Sequence, residues 1–157
     1  MAVVYKVDFR TEPVKRALWK QYNEASTEAW QETGKMFHVD MRPRRFTESH
    51  GREAGYKKRK AKYTKRKFCE FGHKNPLERT GEVKRLVKSA KIVARGGTGQ
   101  RGNQGGARVI YRGARKLNYI NPHSDINMRA EFTRITEREA MTLGIAHGVR
   151  LKEKFKR

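Results

Sequence analysis

The residues best able to do chemistry in this sequence are its five histidines, His38, His50, His73, His123 and His147, with the acids near them. Asp40 stands two positions after His38, and Asp125 two after His123. A histidine beside a carboxylate can serve as a base, and nucleases combine such a base with a metal-bound phosphate. His123-Ser124-Asp125 with Asn127, supplemented by Glu70 and Glu78, is the set a small nuclease would draw on. That spacing is generic. A hydrolytic metal centre needs three or four converging ligands, and the sequence has neither HExxH nor a tight ligand cluster. The alternative is a set of ordinary polar loop residues. Cys69 follows a lysine and arginine run that can favour a thiolate, but no base is placed beside it by spacing. The expectation is no catalytic residue, no metal and no cofactor.

A glycine-rich stretch, GGTGQRGNQGG at 96–106, raises the question of a phosphate loop. It lacks GxxxxGK[ST], and GTGQRG matches GxGxxG only as a string. ARVIYR follows it and reads as a strand, whereas a phosphate loop opens a helix whose N-terminus faces the anion. A mobile hairpin tip is the better reading, with Arg101 able to touch a phosphate there.

The elements that must position these residues belong to a chain of 157 residues, enough for one domain. Lys and Arg number 38 against 16 Asp and Glu, a net charge of +22. Such a charge opposes compaction and favours a polyanion, either nucleic acid or an acidic protein. One cysteine excludes a disulfide scaffold. No run is long and apolar enough to span a membrane, and MAVVYKVDFR, charged by Lys6, does not read as a secretory leader. A reducing cytoplasm is the expected setting. The charge is uneven: Thr11 to Phe37 is neutral, with four bases and four acids, while Met41 to Phe68 holds twelve bases and two acids.

Val3 to Phe9 alternates as a short strand or extended arm does. Thr11 and Pro13 mark a helix start, and the helix should run from about Pro13 to Thr33 or slightly beyond, with Gly34 as its stop. Val14, Leu18, Tyr22, Ala25 and Ala29 form its stripe. Trp19 and Trp30, about three turns apart, share a second stripe. Either both sit in one broad buried face, or they meet a second partner such as another subunit. Residues 41–68 read as an extended basic arm that orders against something acidic. Its cations, interspersed with Tyr56, Tyr63 and Phe68, suit a phosphate backbone or stacked single strands. Leu77 to Lys88 can hold a short helix capped by Thr80. Ser89 to Arg95 and Ala107 to Arg112 predict an antiparallel hairpin around the glycine-rich loop. Arg115 to Met128 reads as irregular, and Thr136 with Glu139 matches a capping box opening a last helix from about Glu137 to Leu151. In that helix Gly144 and Gly148 either permit close approach of another helix or simply weaken this one. The fold class is α+β: a long N-terminal helix and a C-terminal helix on a small antiparallel sheet. Residues 1–157 form a single domain with a basic arm at 41–68 and a flexible loop at 96–106.

The order of these features resembles the tail-completion, or neck, proteins of long-tailed bacteriophages. The resemblance is carried by the Trp-bearing first helix, Arg45-Phe46, Gly55-Tyr56 and Lys67, then by the turn Pro76-Leu77-Glu78-Arg79-Thr80-Gly81 with Val83 and Ser89. Tyr119, Pro122-His123 and Phe132-Thr133-Arg134-Ile135-Thr136 continue it, over roughly residues 12 to 152. Val83 stands where the family usually has Leu, and the 96–106 loop and the +22 charge are this chain's own. The resemblance implies a virion protein, made in the host cytoplasm, that forms a homo-oligomeric ring at the head–tail junction. Its partners would be portal or adaptor proteins and tail-tube or tail-terminator proteins, around the channel for packaged double-stranded DNA. Closed rings need a head-to-tail interface, for which Trp19 and Trp30 are the candidates. Arg44, Arg45, Lys57, Lys58, Arg59, Lys60, Lys62, Lys65, Arg66, Lys67 and Arg101 would face DNA phosphates, without reading sequence, or an acidic partner. It implies no membrane contact and no cofactor. The rival is a standalone basic nucleic-acid-binding protein of ribosomal type. A small nuclease is the weaker alternative.

Overall fold

The computed structural model describes residues 12–97, 105–111, 114–118 and 126–156. The sequence expectations for Val3 to Phe9, Arg101, the middle of the glycine-rich loop, Tyr119 and the His123/Asp125 pair lie outside them. The fold is α+β, rich in helix, with one two-stranded sheet.

Helix α1 (Glu12–Met36) is the middle layer. The hairpin of β1 (Ala90–Arg95) and β2 (Gly106–Tyr111) lies on one side of it, and α7 (Glu137–Phe155) on the other. Small side chains on α1 let both neighbours approach: Ala25, Ser26, Ala29, Thr33 and Gly34 are all buried. Gly34 does not end the helix as expected. It is the point of closest approach to the sheet, where an added Cβ would fall 2.8 Å from Ile92 Cγ2 and 3.1 Å from Ala107 Cβ. The chain overruns it into a π turn at Phe37–Met41 and a 3-10 turn at Arg42–Phe46.

The hairpin is antiparallel, with Val93 opposite Arg108 and Lys91 opposite Ile110. Alternate residues turn to α1, and Gln31 and Thr27 tie the strand to it: Gln31 Nε2 donates to the Ile92 carbonyl at 3.4 Å, and Gly96 N donates to Thr27 Oγ1 at 2.9 Å. The α1–α7 seam is antiparallel. Tyr22 meets Phe155 edge-on and Trp30 stacks on His147, while Lys154 pairs with Glu28 and Glu32, and Arg150 with Glu32. The capping box is present: Glu139 N donates to Thr136 Oγ1, and Thr136 N donates to Glu139 Oε2.

A second core lies beyond the end of the hairpin that Tyr111 marks. Phe46, Leu77, Val87, Leu117 and Phe132 are buried together, with Tyr56, Val83, Tyr111 and Met128 against them. They come from the 3-10 turn, the 76–81 turn, α4 (Glu82–Lys88), α5 (Ala114–Leu117) and α6 (Met128–Thr133). Leu77 takes a left-handed backbone, φ +57°, to place its side chain in this core, a strained choice for a residue with a branched side chain. The cap of α4 is Gly81, in the left-handed region, and not Thr80.

The segment 41–68 is the largest departure from the sequence expectation. It is not an extended arm. After the two turns come α2 (Glu48–Glu53) and α3 (Ala61–Phe71). Helix α3 ends on Gly72 in the left-handed conformation, whose N–H donates to the Phe68 carbonyl at 2.8 Å.

Candidate functional site

Two arginines of the basic segment are paired with acids of the same chain. Arg45 is fully buried and its guanidinium is forked onto Glu139: Nη1 donates to Oε1 at 2.7 Å and Nη2 to Oε2 at 3.0 Å. It also donates to the carbonyls of Phe132 (3.1 Å), Arg134 (2.8 Å) and Met41 (3.4 Å), and its guanidinium lies over the Phe37 ring. Burial pushes the Glu139 carboxyl up, but the Arg45 hydrogen bonds, the Thr136 N–H and the Arg45 charge together hold it below its ordinary range. Arg59 makes a second fork, onto Glu131, at 2.9 and 2.5 Å, and Glu131 also accepts from the Lys57 backbone N–H. Lys67 is buried and donates through Nζ to the Asn75 carbonyl at 2.5 Å. Burial lowers its ammonium from the ordinary value.

Arg45, Arg59 and Lys67 are therefore structural cations. A cation whose donors are already taken by partners within the fold is not free to meet a phosphate, so these three leave the set of contact residues proposed from sequence. Arg42, which sequence reasoning passed over, is a fourth. It is buried, donates to the Val87 carbonyl at 2.8 Å and lies over the Tyr111 ring, and burial brings its guanidinium down to about 10. Its Nη2 also sits 3.0 Å from His38 Nε2, which is 3.1 Å from the Lys88 carbonyl. One ring nitrogen cannot accept from arginine and donate to a carbonyl at once, so the His38 tautomer selects one of these bonds.

The cations that are left are exposed. Lys57, Lys58 and Lys60 lead into α3, and Lys62, Lys65 and Arg66 lie on it, all exposed; Arg44 is exposed on the 3-10 turn. Arg66 reaches Glu70 at 3.7 Å across one helical turn, a solvated pair of little energetic weight. Tyr63 and Phe68 are exposed among these cations, at 40% and 51% of their full surface. Helix α3 packs only sparsely on the other described elements, through Lys67 and through Arg79 over the Phe71 ring. Cationic side chains crowd the N-terminal half of α3, the end where the helix dipole is itself positive.

The other expected chemistry is dispersed. Glu70 pairs with Arg66 and Arg79, while Glu78 accepts from Asn75 and Lys84. His38 turns to Lys88 and Arg42, and Asp40 is exposed. Cys69 is an exposed free thiol on α3. Among the described residues, no group of three His, Cys, Asp or Glu is placed to hold a metal ion. An open groove of about 630 Å³ on α1 is lined by Lys20, Asn23, Glu24, Thr27 and Glu28, with no convergence of a nucleophile and a base.

The two tryptophans separate. Trp30 is half-buried with its ring stacked on His147, centroids 4.0 Å apart, so α7 of the same chain is the second partner of α1. Trp19 meets Tyr22 edge-on and keeps 45% of its surface exposed, so only Trp19 is free for another subunit.

Two signals could have exposed this site in the sequence. Phe68, Phe71 and Gly72 are a helix ending before a left-handed cap, and Glu131, Glu137 and Glu139 are the three acids between Ile126 and Ala140. Comparison with known protein families, with curated proteins and with solved structures finds no match to the chain.

Proposed function

We propose that this protein is a non-catalytic structural protein that holds the phosphate backbone of double-stranded DNA on α3 and its approach, and that it does so as a ring subunit at the head–tail junction of a tailed phage. The observation that carries the first part is the exposed set Lys57, Lys58, Lys60, Lys62, Lys65 and Arg66 on α3 and the residues that lead into it. Such a surface contacts phosphates through charge and carries no array of side chains for reading bases.

The head–tail setting rests on the resemblance of the sequence to neck proteins. Two features support it. Leu77, Val83 and Phe132, which carry the resemblance, pack in one core, as residues that define a fold should. Trp19 leaves an exposed aromatic in the N-terminal third of α1 for a neighbouring subunit. The exposed Tyr63 and Phe68 favour a second reading, a standalone nucleic-acid-binding protein that stacks bases on these rings.

Gel filtration with light scattering, at low and high salt and with and without duplex DNA, separates the two. A discrete ring-sized oligomer, or a monomer that multimerises on addition of head or tail components, is the expected result. A monomer that binds single strands more tightly than duplex and never assembles would replace it with the standalone reading.

A further inference from the structure

We infer that the outer face of the β1–β2 hairpin is a docking surface for an acidic protein segment carrying aliphatic side chains. The inference does not rest on the head–tail reading. Alternation along β1 sends Ile92 and Ala94 toward α1 and leaves Lys91, Val93 and Arg95 exposed on the other side. On β2, Arg108 and Ile110 are exposed in the same way. The register places Val93 opposite Arg108 and Ile110 opposite Lys91, so Val93 and Ile110 are diagonal neighbours at the centre of the patch. They keep 44% and 47% of their surface in solvent. Lys91, Arg95 and Arg108 surround them, and no described acid pairs with any of the three.

An apolar centre inside a polar rim is the anatomy of a protein interface. A two-stranded sheet is marginal alone, and here α1 covers only one of its faces. Charge complementarity selects the occupant. The rim is wholly cationic, so the partner surface is acidic. DNA phosphates would answer the rim but would not cover two β-branched side chains. A second copy of this chain, at +22, would set the same cations against each other.

The test uses the full chain, labelled with nitrogen-15, and two soluble Glu-rich peptides, one with a pair of Ile residues and one with Ser in their place. The Ile peptide should bind saturably and shift the amides of Lys91, Val93, Arg108 and Ile110, and the Ser peptide should bind roughly tenfold more weakly. The double substitution Val93→Ser with Ile110→Ser should cost a similar factor for the Ile peptide while duplex DNA affinity and melting temperature stay unchanged. Equal binding of both peptides, no saturable binding, shifts confined to α3, or self-association lost in the double variant would each overturn the inference. Failure of DNA binding by α3 would show in the duplex measurement alone.

Discussion

Replacing Arg45 by Ala would strip Glu139 of its fork and leave a mostly buried carboxylate unpaired, with three carbonyls losing a donor. The expected loss is about 3 kcal/mol of unfolding free energy, the range found when one partner of a buried pair is removed. Lys58→Ala, at an exposed position in the same segment, should change stability by less than about 0.5 kcal/mol. Denaturant unfolding of both variants checks the contrast, and equal effects would remove Arg45 from its structural role. This difference was not legible in the sequence. Both residues read as members of one basic run, and the distinction depends on Glu139, 94 positions from Arg45 along the chain. Burial of an arginine is decided by a tertiary partner, which local composition does not carry.

The seam between α1 and α7 is the element most open to a pH test. His147 is stacked on Trp30, and burial lowers its imidazole below the ordinary value, as it does for His50 beside Arg45. A depressed histidine is neutral in the folded chain while the unfolded chain still takes up the proton. Stability from these groups is therefore fully present above about pH 6.5 and falls as the pH drops below it. Thermal melts from pH 7.5 to 5 should show the midpoint falling, with Trp fluorescence reporting the seam. His147→Phe, which keeps the stack but cannot protonate, should make the fall smaller, and an unchanged fall would place the effect elsewhere. Below about pH 4 Glu139 adds its own loss, because its carboxyl is held low in the fold and its stabilisation disappears as it protonates.

At this scale much was legible. The hairpin was readable from SAKIVAR and ARVIYR, and the closing helix from Thr136 and Glu139, because alternation and capping are local signals. Helix α3 was missed because eight bases in twelve residues suggested repulsion, and the contacts that offset it, from Lys67 to Asn75 and from Arg59 to Glu131, lie outside the helix. Gly34 was misread for a related reason: it is a glycine chosen for the approach of Ile92 and not for a turn.

In the basic segment, the cations divide between those paired inside the fold and those left in solvent. Arg42, Arg45 and Lys67, which are buried, and Arg59, which is half-buried, hold the basic segment on the body, and its other cations are exposed, most of them on α3 and its approach. Within the segment 41–68, folding thus leaves most of the solvent-facing charge on α3 and the residues that lead into it. The most direct test is the salt dependence of duplex DNA binding by the wild type and by a variant with Lys58, Lys62, Lys65 and Arg66 changed to Gln. These side chains are exposed, so the variant should melt at the wild-type temperature. The slope of log K against log salt should become shallower by roughly 3 to 4, about one released counterion for each cation removed. An unchanged slope in a folded variant would place the DNA contact elsewhere and contradict the account.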